Sequence, residues 1–116
     1  MKSEDVLKAL GSLAQETRLA VYRLLVKQGP EGLSAGALAE KLRVPASSLS
    51  FHLQQLRHAG LISQHRHSRQ LIYATNFSLM NELVRYLTEN CCGGASCAPV
   101  CEVSSPARAT RNARTR

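Results

Sequence analysis

The chain has 116 residues, enough for one small domain, and a hydrophobic fraction of 44% that can supply a single core although only 4% of residues are aromatic. Its formal charge of +7 makes an anionic partner such as nucleic acid the expected one. No apolar run approaches the ~20 residues that cross a bilayer, and the opening MKSEDVLKAL lacks the apolar segment of a secretory signal, so we expect a cytoplasmic protein with no membrane partner.

Two helices are predicted at the amino terminus. Ser3 is a candidate N-cap for the first, whose first turn is acidic and whose apolar stripe is Val6, Leu7, Leu10 and Leu13. A second helix is predicted from about residue 15 to 28, where the turn sequence GPEG ends it.

A second pair of helices follows, separated by a tight connection. Ser34 is expected to cap a helix over residues 35–42, and Pro45 keeps the residue before it out of the helical region. The next helix is predicted to begin at Ser47 or Ser48, to run to about residue 59, and to be stopped by Gly60 as its C-terminal cap.

Two short runs of strand composition, residues 61–66 and 70–75, predict a β-hairpin with His67 and Ser68 at its tip. A last helix is predicted over residues 77–90. The fold class is therefore mainly α with a small hairpin, in the order α-α-α-α-β-β-α of a winged helix-turn-helix. We assign residues 1–90 to this domain, and residues 91–116 to a flexible, Arg-rich tail.

The charge distribution points to DNA. No Asp or Glu occurs from residue 41 to 81, and this stretch contains every His of the chain. The helix after Pro45 turns leucines to the core and small polar groups outward, which suits major-groove base edges and nearby phosphates. The hairpin forms a cationic finger for backbone phosphate or the minor groove. The DNA-binding candidates are Ser47, Ser48, Ser50, Phe51, His52, Gln54, Gln55, Arg57, His65, Arg66, His67 and Arg69.

Two of these candidates have alternative interpretations. Phe51 points away from the leucine stripe, so it either contacts a thymine methyl or sugar edge or packs beneath the hairpin. His52 lies at the flank of the helix and is expected to be a partly buried packing residue that touches a phosphate.

All four cysteines lie in the segment CCGGASCAPVC, at positions 91, 92, 97 and 101. Adjacent thiols, a flexible Gly-Gly step and two further thiols could surround a soft, thiol-seeking ion. A redox switch is an alternative, because an oxidised Cys91 or Cys92 could pair with Cys97 or Cys101. A thiol enzyme is disfavoured, since no His, Asp or Lys neighbours the thiols and no phosphate loop is visible.

The segments ALGSLAQETRLAVYRLL, LSAGALAEKLRVPASSLSFHLQQLRHAGLI and HRHSRQLIYAT resemble the ArsR/SmtB family of bacterial metal-sensing repressors over about residues 5 to 90. The resemblance implies a homodimer built on the first and last helices, a palindromic operator of double-stranded DNA, and ligand-induced release. The implied interface residues are Leu7, Leu10, Leu79, Leu83 and Leu87.

The two usual sensor sites of that family are missing. No Cys-x-Cys pair opens the third helix, and the last helix has neither His nor Asp. The thiols resemble those of arsenic-responsive members with cysteines just after the last helix. Trivalent arsenic takes three sulfurs, for which we rank Cys91, Cys92 and Cys97 first, with Cys101 as the alternate third ligand. Trivalent antimony is a possible second inducer, and no organic cofactor is expected.

Overall fold

The computed structural model describes residues 1–94. Their elements are helices α1 (Ser3–Leu13) and α2 (Glu16–Gln28), strand β1 (Leu33–Ser34), helices α3 (Ala35–Leu42) and α4 (Ala46–His58), strands β2 (Ile62–His67) and β3 (Gln70–Thr75), and helix α5 (Phe77–Leu87), followed by a short 3-10 turn (Cys91–Gly94). The predicted winged helix-turn-helix is confirmed. Residues 1–84 form one compact unit, and a second unit begins at Arg85. Within the described part, no helix has the length and apolar character needed to span a membrane.

The core is built on the leucine stripe of α4. Leu49, Leu53 and Leu56 are each at most 2% exposed, as their 100° spacing along one helix face predicts. Val21 and Leu25 of α2 are fully buried as well. Burial of these side chains fixes which face of α4 remains outside.

Gly60 ends α4 in the predicted way. It has a φ of +80°, its N–H donates to the carbonyl of Arg57, and the next N–H, of Leu61, donates to the carbonyl of Leu56. This pair of hydrogen bonds is a Schellman cap, and the side chain of Leu61 is buried in the core. Asn76 then joins this cap to α5, because its Nδ2 donates to the Gly60 carbonyl at 3.0 Å and its Oδ1 accepts from the N–H of Leu79 at 3.2 Å.

The three strands form one antiparallel sheet in the order β1-β3-β2. His67 pairs with Gln70, so the hairpin turn consists of Ser68 and Arg69, and the predicted tip is wrong by one residue. Ser68 takes a φ of +59°, which lets a two-residue turn follow the strand twist. Strand β1 was not predicted, because two residues carry no recognisable period.

Three predicted boundaries need correction. Ser3 lies inside α1, and Lys2 holds the N-cap position without a side-chain bond. Helix α4 begins at Ala46 after Pro45, ahead of the serines expected to start it. Helix α5 ends at Leu87 instead of residue 90, where the Thr88 hydroxyl donates to the carbonyl of Arg85, a local bond that competes with helix continuation.

Candidate functional site

The outer face of α4 carries polar and small side chains. Ser47, Ser50, Gln54 and Arg57 are exposed: Ser47 and Gln54 lie opposite the buried leucines, and Ser50 and Arg57 lie along one flank. Ser48, His52 and Gln55 are half-buried along the other flank of the helix. The structure thus gathers all the sequence-predicted residues of α4 on one continuous surface or its edges.

Phe51 lies in the middle of this surface. Its side chain is 55% exposed, so it does not pack beneath the hairpin. Its ring meets the ring of His52 edge to face, with centroids 5.7 Å apart and an interplanar angle of 64°. An apolar group held out in this way is available to a thymine methyl or a sugar edge.

The hairpin presents the predicted cations to solvent. His65, Arg66, His67 and Arg69 are all exposed. A cross-strand bond braces the hairpin near its base, where Gln64 Nε2 donates to the hydroxyl of Tyr73 at 2.8 Å. Because no carboxylate occurs from residue 41 to 81, α4 and the hairpin carry no acidic group to offset these charges.

Arg18, on the first turn of α2, was missed from the sequence. Its Nε atom and the Nδ1 atom of His52 are both buried, and neither has a hydrogen-bond partner within residues 1–94. Burial lowers the pKa of His52, and the positive charge of Arg18 lowers it further. The available signal was a cation in a first helical turn, where the helix dipole favours anions.

Apolar side chains also remain outside on the two helices of the implied dimer interface. Leu7 of α1 is 68% exposed, and Leu10 is exposed as well. Leu87 of α5 is exposed, but Leu83 is only 7% exposed and belongs to the core of its own chain. Val84, which is not among the implied interface residues, is exposed.

Cys91 and Cys92 lie on the 3-10 turn, beyond the end of α5. Their sulfur atoms are 3.8 Å apart; Cys91 is a free thiol, whereas Cys92 is disulfide-bonded. Two sulfurs bound to one soft ion at ~2.3 Å would lie ~3–4 Å apart, so this spacing suits a shared ligand once Cys92 is reduced. No group of three potential metal ligands occurs in the part that the structure describes, and the predicted Cys97 and Cys101 lie outside it.

Comparison with known proteins gives consistent similarities. A helix-turn-helix domain model matches residues 13–65. The HTH-type transcriptional regulator YceK of Bacillus subtilis is 37% identical over 59% of this chain and 69% of its own length. Nodulation protein NolR of Rhizobium meliloti is 32% identical over 76% of this chain and 72% of its own.

Solved structures share the fold. An ArsR-like transcriptional regulator from Rhodococcus superposes with a TM-score of 0.69 at 21% identity, covering 90% of this chain and 96% of that one. A homodimeric winged helix-turn-helix DNA-binding domain from Mycobacterium bovis superposes with a TM-score of 0.59 at 22% identity, covering 79% of this chain and 85% of that one.

Proposed function

The chain belongs to the ArsR family of helix-turn-helix transcriptional regulators, and from this premise we propose that it is a homodimeric repressor that leaves its operator when trivalent arsenic or antimony binds its carboxy-terminal cysteines. The family consists of DNA-binding regulators and not of enzymes. The observation that carries the sensing proposal is the pair of neighbouring sulfurs of Cys91 and Cys92, 3.8 Å apart.

The exposed surface of α4 supports DNA reading. Gln54 and the serine hydroxyls can bond base edges in the major groove, and Arg57 can reach a base or a phosphate. The cations of the hairpin, Arg66 and Arg69 among them, would hold the backbone beside that groove. The hairpin would thus position the protein on the DNA backbone, and α4 would recognise the base sequence.

Exposed leucines support dimerisation. Leu7 and Leu10 on α1, and Val84 and Leu87 on α5, leave apolar surface in water that a second copy of the chain would cover. A dimer would present two α4 helices to two half-sites, whose spacing would depend on how the protomers meet.

The thiol chemistry supports a trivalent metalloid. Arsenous acid exchanges its hydroxyl groups for thiols and releases water without net release of protons, whereas zinc binding must expel thiol protons. The φ angles of Asn90, Cys92 and Gly93 are all positive, so the backbone leaves the helical direction here. In the proposed site, the following residues turn back and bring Cys97, or Cys101 in its place, to the same ion.

The proposed switch uses continuity along the chain. Only residues 88–90 separate the end of α5 from the thiol turn, and α5 carries part of the proposed dimer surface. Closing a chelate at the turn would constrain the end of α5 and change how two protomers meet. A coupling free energy of ~1–3 kcal/mol would weaken DNA binding about 5- to 150-fold.

The test is a fluorescence-anisotropy titration of the reduced protein bound to DNA selected from a random-sequence library. As(III) should release DNA from the wild type, whereas Cys91→Ser and Cys92→Ser should stay bound. Of Cys97→Ser and Cys101→Ser, the variant that keeps the third ligand should also release DNA. Zn(II) at equal concentration is the control. If Cys91→Ser and Cys92→Ser release DNA at the wild-type As(III) concentration, the proposed site is wrong.

Redox sensing is a second candidate, favoured by the disulfide at Cys92 beside the free thiol of Cys91. The same titration separates it from metalloid sensing. Release by peroxide without As(III), reversed by a thiol reductant, would favour redox sensing, and release by As(III) under reducing conditions would favour the metalloid.

A further inference from the structure

A cleft between α1, α2 and α4 is lined by three cationic or protonatable side chains, each from a different helix. These are Lys8, Arg18 and His58, and none of the residues lining the cleft is acidic. Ser12 and Gln55 lie between them, and the Ser12 hydroxyl donates to the Gln55 carbonyl at 3.5 Å. This bond ties α1 to α4 and keeps the cleft in shape.

Arg18 has an unsatisfied hydrogen-bond donor in this cleft. Its Nε–H is buried and has no acceptor within the described residues, and no ion pair is formed by its guanidinium there. A buried charged donor without an acceptor carries a large desolvation cost. The first turn of α2 adds the positive end of the helix dipole, which disfavours a cation there; Glu16 is the acidic residue of this turn, but it does not line the cleft.

We infer that this cleft binds a phosphate-type oxyanion, held by the Arg18 guanidinium and Lys8, with His58 at its rim. Guanidinium matches the geometry of a tetrahedral oxyanion through two parallel N–H bonds, and lysine adds a point charge. The oxyanion has two possible sources, a free ion such as inorganic phosphate or a phosphate group of the DNA backbone. The inference is independent of the thiols and of the metalloid.

The first arm of the test is a nuclear magnetic resonance titration of the uniformly labelled wild type with inorganic phosphate, at ionic strength held constant with chloride. Saturable shifts are expected at the amides of Ser12, Arg18 and Gln55. Arg18→Met should weaken the phosphate affinity about tenfold or more, because a charge-assisted hydrogen bond is lost. Lys8→Met alters an exposed residue, so it tests the cleft even if the Arg18 variant misfolds. Arg23→Met, on α2 like Arg18, removes an exposed charge outside the cleft and is the matched control.

The second arm identifies the source, by measuring DNA affinity against salt concentration without phosphate. If the backbone fills the cleft, Arg18→Met and Lys8→Met should each reduce the slope of log K against log salt by about 1. If a free oxyanion fills it, their slopes should match the wild type while phosphate changes the DNA affinity of the wild type alone. The inference is overturned if neither arm separates Arg18→Met and Lys8→Met from Arg23→Met.

Discussion

Gly32 lies against strand β3 at the point where β1 joins the hairpin, and Gly32→Ala should disrupt the pairing of β1 with β3. The residue has a φ of +71°, and a Cβ placed on it would lie 2.3 Å from the carbonyl oxygen of Tyr73 and 2.9 Å from Cγ2 of Ile72. The next residue, Leu33, pairs with Tyr73 in the β1–β3 ladder. The added methyl group therefore pushes on the backbone of the strand that carries the hairpin.

The magnitude follows from this geometry. Alanine in the left-handed region costs ~1–2 kcal/mol more than glycine. Clearing the Tyr73 oxygen to the 3.0 Å below which real Cβ contacts are essentially never found requires a backbone shift of roughly 0.7 Å. Such a shift disrupts the short β1–β3 ladder, whose hydrogen bonds contribute ~0.5–1.5 kcal/mol each. The expected loss in free energy of unfolding is about 3 kcal/mol.

Urea denaturation followed by circular dichroism measures the loss, at one protein concentration because dimerisation would add to stability. With an m-value of ~1.5 kcal/mol/M, the midpoint of Gly32→Ala should fall by about 2 M. Gly36→Ala is the control, since its Cβ would meet nothing closer than 4.0 Å and a helical alanine should raise stability by ~0.5–1 kcal/mol. A Gly32→Ala midpoint within 0.3 M (roughly 0.5 kcal/mol) of wild type would refute the reasoning.

Two further predictions concern side chains of α4. Phe51→Ala should leave the free energy of unfolding within ~0.5 kcal/mol and weaken DNA binding about tenfold; uracil in place of thymine should weaken the wild type but not the variant, and equal loss in both would exclude the thymine methyl as its contact. His52 has a pKa below its ordinary value, so the unfolded protein binds a proton at this residue more readily than the folded protein does. The contribution of neutral His52 to the free energy of unfolding should therefore be complete above pH ~6.5 and fall as the pH drops below it. Between pH 7.5 and 5.5, the urea midpoint of His52→Gln should fall less than that of the wild type, and identical declines in the two proteins would contradict this.

Strong periodicity made much of the fold predictable. Leu49, Leu53 and Leu56 recur at a spacing that only a helix brings to one side, so both the core and the outer face of α4 followed from the sequence. Gly60 was equally readable, because a glycine after such a run can take the positive φ that a Schellman cap needs.

Features that depend on long-range contact could not be read from the sequence. Strand β1 has two residues and exists because β3 offers it backbone partners. The cleft around Arg18 joins residues 8, 18 and 58, which no local pattern relates. The early end of α5 is a different case, because it involves a local bond, from the Thr88 hydroxyl to the Arg85 carbonyl, that the leucine spacing does not reveal.

The hydrogen bonds of Asn76 give a physical basis for linking α5 to the proposed DNA-reading surface. One side chain accepts from the first turn of α5 and donates to Gly60, which itself closes α4. The backbone N–H of Asn76 also donates to Leu61, one residue before β2 begins. A shift at the start of α5 would therefore reach the end of α4 and the base of the hairpin through hydrogen bonds of 3.2 Å or less. The two proposed reading elements, α4 and the hairpin, are both bonded to Asn76 and would move together. In the proposed dimer, a small displacement of α5 in each protomer would therefore change half-site spacing while leaving the proposed reading surface of each protomer intact.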